Sequence, residues 1–217
     1  DNTFLTPLIQ KPLELGADLV IHSATKFLGG HSDILAGLIV TNNLSLAESV
    51  YYLQNSTGGV LGVQDSWLLL RGLKTLSVRM KAGTSTAEKI ALFLKAEPSV
   101  EAVHYPGLLS HAGYEIQVEQ ATSGGAVLSF DLGSEDAVRE LVTHLELPVF
   151  SVSLGAVESI ISYPAKMSHA AVPEKERLEQ GITPGLLRFS AGLEDADDLI
   201  ADLKQALSFI KKGSGVK

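Results

Sequence analysis

Residues 19–33 read Leu19-Val20-Ile21-His22-Ser23-Ala24-Thr25-Lys26-Phe27-Leu28-Gly29-Gly30-His31-Ser32-Asp33, and the rest of the chain is read around them. Leu19, Val20 and Ile21 form a short apolar run with two β-branched members, which predicts a buried strand. The run then turns polar at Ser23, Thr25 and Lys26 and loosens at Gly29-Gly30. A second apolar strand is expected at 35–40. A lysine leaving the end of a buried strand, beside hydroxyls and a glycine pair, is placed for amine chemistry. Burial or a neighbouring cation lowers the pKa of a lysine and frees its lone pair for attack on a carbonyl. Alone, such a lysine is most simply a surface residue, and Ser23 and Thr25 are turn formers. On a loop, though, hydroxyls and free backbone N–H groups also hold phosphate.

The chain around this stretch alternates helix and strand, so the expected class is α/β. Pro7 and Pro12 mark 1–16 as a strand end and loop. A short helix is expected at 44–54, then a glycine-containing loop at 55–62. Helical spacing returns from Val63 through Trp67, Leu68, Leu70 and Arg71. A long proline-free helix follows at 76–96, stopped by Pro98. A soft domain boundary falls near Gly72, ahead of that linking helix. Strands are expected at 100–105, 125–132, 149–152 and 186–191, with a helix at 113–120. In 125–132, Ala126, Leu128, Phe130 and Leu132 share one face. Ser134 with Glu135 and Asp136 opens a helix whose apolar stripe is Val138, Leu141, Val142 and Leu145. A last helix starts after Glu194-Asp195, with Leu199, Ile200, Leu203, Leu207 and Ile210 on one side and Lys211 and Lys212 near its end. Residues 213–217 are expected to fray.

Other chemistry-bearing patterns are weaker. In Leu186-Leu187-Arg188-Phe189-Ser190-Ala191, Leu187, Phe189 and Ala191 share one face, and Arg188 points the other way. A guanidinium there serves equally as a structural ion pair or as a bidentate carboxylate fork. His31-Ser32-Asp33 holds the residue types of a hydrolase triad, but neighbours on one loop cannot align as one, and no Gly-x-Ser-x-Gly elbow occurs. His22 with His31, or His104 with His111, lacks the helical spacing and supporting acid of a metal pair, so no metal is expected. Seventeen basic against twenty-five acidic side chains give a net charge of −8, which disfavours nucleic acid. With no cysteine, disulfides and thiolate metal sites are excluded. No stretch approaches the roughly 18 apolar residues of a membrane span, so neither a membrane helix nor a signal peptide is expected.

Ser23-Ala24-Thr25-Lys26 followed by Gly29-Gly30-His31-Ser32-Asp33 resembles the cofactor-lysine segment of the Cys/Met-metabolism family of pyridoxal-phosphate (PLP) enzymes. Its members include the cystathionine lyases, cystathionine γ-synthase, methionine γ-lyase and the homoserine sulfhydrylases. The Arg188 strand and Ser153-Leu154-Gly155-Ala156-Val157-Glu158-Ser159 resemble two further signatures, and the likeness runs from Asp1 to about Ala206. It implies that Lys26 condenses with the aldehyde of PLP and later moves the substrate Cα proton. It assigns Ser23 and Thr25 to the phosphate, and Asp1 to the pyridine nitrogen. It places Arg188, with Ser153, at the substrate α-carboxylate, Ser168 near the substrate, and Glu158 as a structural partner. Many cystathionine-handling members carry an acid just before Ser153, where this chain has Val152, as apolar as in methionine γ-lyase-like members.

The fold so implied is the C-terminal part of an aspartate-aminotransferase-like (fold type I) PLP domain over 1–72, then a smaller α/β C-terminal domain over 73–217. The implied function is a PLP-dependent lyase that cleaves L-cystathionine or a related sulfur amino acid by β- or γ-elimination. Two alternatives stand beside it: a γ-replacement enzyme, and a silent portion that only binds its counterpart. Asp1-Asn2-Thr3-Phe4 matches an interior segment of the family, so an N-terminal portion is an expected partner. Without it, the 217 residues are expected to be inactive and to bind PLP weakly. A homotetramer and a cytoplasmic location complete the expectation.

Overall fold

The computed structural model describes residues 1–210. The expected frayed tail at 213–217, and Lys211 and Lys212, lie outside the described residues. In chain order the elements are α1 (Thr6–Ile9), β1 (Val20–Ser23), β2 (Gly37–Val40), α2 (Leu44–Thr57), α3 (Val63–Leu73), α4 (Leu76–Ala96), β3 (Ala102–His104) and α5 (Tyr114–Gln120). Then come β4 (Val127–Asp131), α6 (Glu135–His144), β5 (Val149–Phe150), β6 (Ile160–Ser162), α7 (Glu174–Glu179), β7 (Leu186–Ser190) and α8 (Ala196–Leu207). The α/β class is as expected. No helix among the described residues is long and apolar enough to cross a membrane.

β1 and β2 form an antiparallel pair, with Ser23 opposite Gly37. The other strands form one sheet in the order β3-β4-β7-β6-β5, antiparallel except for β5 against β6. Period-two alternation gives that sheet its inner face: Leu128 and Phe130 of β4 and Leu187 and Phe189 of β7 are buried. Helices α4, α6 and α8 bring Ile90, Leu94, Leu141, Leu199 and Leu203 into the same cluster. Each such side chain contributes roughly 1.5–3 kcal/mol relative to exposure. The helix starts are set by local chemistry. Ser134 accepts from the Ala137 N–H at 3.2 Å, and Asp195 from the Asp197 N–H at 2.8 Å, meeting donors that a helix start leaves orphaned.

A second cluster gathers Ala24, Phe27, Leu28, Ile34, Leu69, Leu76 and Met80 with Ala126 and Leu154. It draws on both sides of Gly72, so the lysine stretch is packed directly on the later part of the chain.

Several expectations need correction. The first strand is not buried throughout: Val20 and His22 are buried, but Ile21 is 50% exposed, as are Ile39 (53%) and Val40 (42%) on β2. Ile21 and Ile39 pair on the uncovered face of this two-stranded ribbon, and Val40, opposite buried Val20, lies at the end of its strand. The 44–54 helix continues to Thr57 and ends where Gly58 adopts φ +74°. Asn55, Ser56 and Thr57 are weak helix formers, not breakers, and Gly58 supplies the left-handed cap. Pro7 does not break structure but sits in the first turn of α1, where its missing N–H is harmless. β6 and α7 were not foreseen. Ile160–Ser162 is too short to show a period, and α7 carries a single apolar residue, Leu178, and buries none. The strand expected at 149–152 shrinks to Val149–Phe150.

Candidate active site

Lys26 lies on a tight turn at the end of β1. Its N–H donates to Ser23 O at 3.1 Å, and its carbonyl accepts from Gly30 N–H at 2.7 Å. The turn is helical in pitch, so Ala24, Phe27 and Leu28 go into the second cluster while Thr25 and Lys26 stay half-buried. Lys26 Nζ donates to Ser153 Oγ at 2.6 Å. Arg188 Nη2 donates to the Ser153 carbonyl at 2.6 Å and to Ser162 Oγ at 3.2 Å. Three residues named from the sequence, Lys26, Ser153 and Arg188, are thereby joined although they are remote along the chain.

Ser153 adopts φ +80°, a left-handed conformation that costs a non-glycine residue of order 1–3 kcal/mol. Gly155 adopts φ +78°, and a Cβ there would lie 2.7 Å from the Phe27 backbone nitrogen. Its N–H is held by Ser190 Oγ at 2.9 Å. The 153–155 loop thus presses directly on the lysine turn.

Burial, and then the Arg188 guanidinium, hold the Lys26 amine below the ordinary lysine value. Burial likewise lowers Arg188. Arg188 Nε is buried with no hydrogen-bond partner among the described residues. An unmet buried donor costs about 1–3 kcal/mol, more when charged, which leaves this guanidinium under-satisfied and suited to an anion.

The remaining expected residues stand as follows. Ser23 borders the turn, and its hydroxyl makes no side-chain hydrogen bond among the described residues; its N–H donates to Thr3 Oγ1 at 2.8 Å. The Thr25 hydroxyl is engaged with Ala36, accepting from its N–H at 2.9 Å and donating to its carbonyl at 3.3 Å. Asp1 is exposed, and its carboxylate accepts from Thr3 N–H at 2.8 Å, with no bond to the Lys26 group. The segment is nonetheless tied to β1 by Asn2 N–H donating to Ile21 O at 2.9 Å. Ser168 is not brought into the cluster: it is exposed and bonded to His169 Nδ1 at 2.9 Å. Glu158 is also exposed, and the structural carboxylate is Glu194, which holds Ser159 through its N–H and Oγ, both at 2.7 Å. Ser162 and Ser190 were missed; only the pairing of β6 with β7 sets Ser162 opposite Arg188. No cluster of three or more metal-ligating side chains occurs among the described residues.

A half-buried amine of lowered pKa beside an under-satisfied guanidinium defines a site for amine chemistry on an anionic carbonyl compound. A family model described as Cys/Met metabolism PLP-dependent enzyme matches residues 1–208, and the chain belongs to that family. The chain is 58% identical to cystathionine beta-lyase MetC of Bacillus subtilis (strain 168) over 210 residues, 97% of this chain and 54% of that protein. It is 55% identical to cystathionine gamma-lyase of the same organism, again over 97% of this chain and 55% of the relative. The crystal structure of cystathionine gamma synthase from Xanthomonas oryzae pv. oryzae in complex with aminoacrylate and cysteine superposes with a TM-score of 0.93 at 44% identity, covering 96% of this chain and 54% of that one. The chain spans about half the length of the relatives it matches.

Proposed function

We propose that this chain carries the lysine and the carboxylate-binding arginine of a PLP-dependent carbon–sulfur lyase acting on L-cystathionine or a related sulfur amino acid. The observation that carries the reading is the Lys26–Ser153–Arg188 connection, which puts a base and an anion fork on one short path. The residues fit PLP. Lys26 offers an amine that gives up its proton readily, and the Ser23 hydroxyl, unbonded among the described residues, can serve a phosphate.

When bound, PLP supplies an electron sink for charge developing at the substrate α-carbon. Arg188 holds the substrate carboxylate and fixes the orientation of the Cα–H bond. Ser153 holds the Lys26 amine through its hydroxyl and Arg188 through its carbonyl. Lys26 takes the Cα proton as general base and is matched to that task by its lowered pKa. Loss of the β- or γ-sulfur then gives a thiol, and hydrolysis gives ammonia and a 2-oxo acid. Asp1 is assigned to the ring nitrogen, supported by its tether to the strand of Lys26. Thr25 is assigned to the phosphate and would give up its 3.3 Å bond to Ala36 O to donate there. No step is assigned to Ser168.

A γ-replacement activity is the second reading, favoured by the γ-synthase neighbour. The proposal also takes residues 1–72 as part of a larger PLP domain and 73–217 as the C-terminal α/β domain. An N-terminal portion of a longer protein would then cover the exposed apolar flank of β1 and β2. The homotetramer rests on the resemblance, and the cytoplasmic location is kept as part of the same proposal.

The test is borohydride reduction with PLP, with and without the N-terminal portion, followed by peptide mass mapping and assay of 2-oxo acid release from cystathionine, methionine and cysteine. The expected result is a phosphopyridoxyl adduct on Lys26 and its loss in Lys26→Ala. No adduct even with the N-terminal portion restored would return Lys26 to an ordinary lysine and favour the silent-scaffold reading.

A further inference from the structure

Arg79, on the first turns of α4, is 6% exposed and forms no ion pair among the described residues. A buried guanidinium without a carboxylate is costly unless its donors are met. Here they are met almost wholly by backbone. Nη1 donates to Phe27 O at 2.6 Å, Nη2 to Gly72 O at 2.9 Å and to Leu28 O at 3.4 Å, and Nε to Thr75 Oγ1 at 3.1 Å.

Phe27 and Leu28 are the two residues after Lys26, at the end of the turn that carries it, and their carbonyls accept from Arg79. Gly72 lies at the end of α3. Carbonyls at the ends of helical turns carry partial negative charge, so the cation finds an electrostatic substitute for an acid. The cavity it fills is made by Gly30, whose φ is +76° and whose Cβ, if present, would collide with the Arg79 guanidinium. This explains the second glycine of the Gly29-Gly30 pair by a contact rather than by the turn alone.

We infer that Arg79 is a positioning residue for Lys26: it clamps the lysine turn to α4 and α3 and so sets where the amine meets Ser153 and Arg188. The lysine turn is held from two sides, by Arg79 on its carbonyls and by Gly155 against Phe27. A fork that reaches three carbonyls at once cannot be replaced by the single ammonium of lysine. This inference rests on the reading of Lys26 as the reactive amine.

The experiment compares wild type with Arg79→Lys, Arg79→Met and the milder Thr75→Val. Its main readout, hydrogen exchange at the Gly29 and Gly30 amides in the cofactor-free protein, does not depend on catalysis. Both amides are hydrogen-bonded within the lysine turn. In Arg79→Lys their exchange should quicken by about tenfold or more while β4 and β7 keep wild-type protection. Arg79→Met should exceed Arg79→Lys, and Thr75→Val should move the same way by less. In the PLP-loaded protein, kcat should fall by about tenfold or more with KM within about threefold, as loss of alignment predicts. Unchanged exchange at Gly29 and Gly30 in a folded Arg79→Lys protein would overturn the inference. So would a loss of protection spread evenly over β4 and β7, which is what a merely structural arginine gives. Failure of the underlying reading looks different: wild type itself would take no PLP on Lys26.

Discussion

Among single residues, Lys26 owes its lowered proton affinity first to burial and then to Arg188, whereas Arg188 is lowered by burial alone. Burial and the nearby guanidinium favour the uncharged amine, so the folded protein holds the Lys26 proton less tightly than the unfolded chain. The unfolded state therefore binds more protons between the lowered folded value and 10.5, and stability rises with pH across that window. Below the folded value, the cost of the crowded cation is fully present. Lys26→Met should flatten this rise, and thermal melts of both proteins from neutral to alkaline pH check it. Arg188→Lys keeps the charge but loses the fork, so KM for an amino-acid substrate should rise by about tenfold or more. Its counter-observation would be an unchanged KM in steady-state assays. Lys26 and Arg188 were legible as candidates because their local motifs are dense. Arg79 was not, since an arginine on a helix gives no sign that its partners are carbonyls 51 and 52 positions away.

Among elements, α4 and β4 were the most readable, because each packs one face on the core and so repeats its period. The stripe Leu76, Met80, Gly83, Ala87, Ile90 and Leu94 shows the helix bounds directly. α1, β6 and α7 left no such trace: two are a single turn or little more, and β6 is buried on both sides. The 153–155 loop is where element geometry meets the site. Gly155→Ala would put a Cβ against Phe27 in a left-handed conformation, at a cost of about 1–3 kcal/mol. A lower denaturation midpoint together with faster exchange at Gly29 should accompany it. Ser134→Ala removes the cap of α6 and should cost about 1 kcal/mol without touching PLP binding. The pair of variants separates damage to the loop at the site from damage to a helix remote from it.

Across the whole molecule, β7 serves both the core and the site. Leu187 and Phe189 face the helices, and Arg188 between them faces Ser153 and Ser162. Phe189→Ala should therefore cost about 3–5 kcal/mol and also loosen Arg188. Chemical denaturation measures the first effect and the KM of an amino-acid substrate the second.

Amino-acid order alone was enough for the α/β class, the long helix, the sheet's inner face and the candidate lysine. Each of these is written in side chains that are neighbours along the chain or recur at a fixed period. The union of Lys26, Ser153 and Arg188, the choice of Glu194 over Glu158 and the contacts of Arg79 with the lysine turn emerged only once the chain was folded. They depend on strand register, on a left-handed serine and on distances between residues remote in sequence. Local propensity carries no information about such distances, because packing of the two hydrophobic clusters sets them.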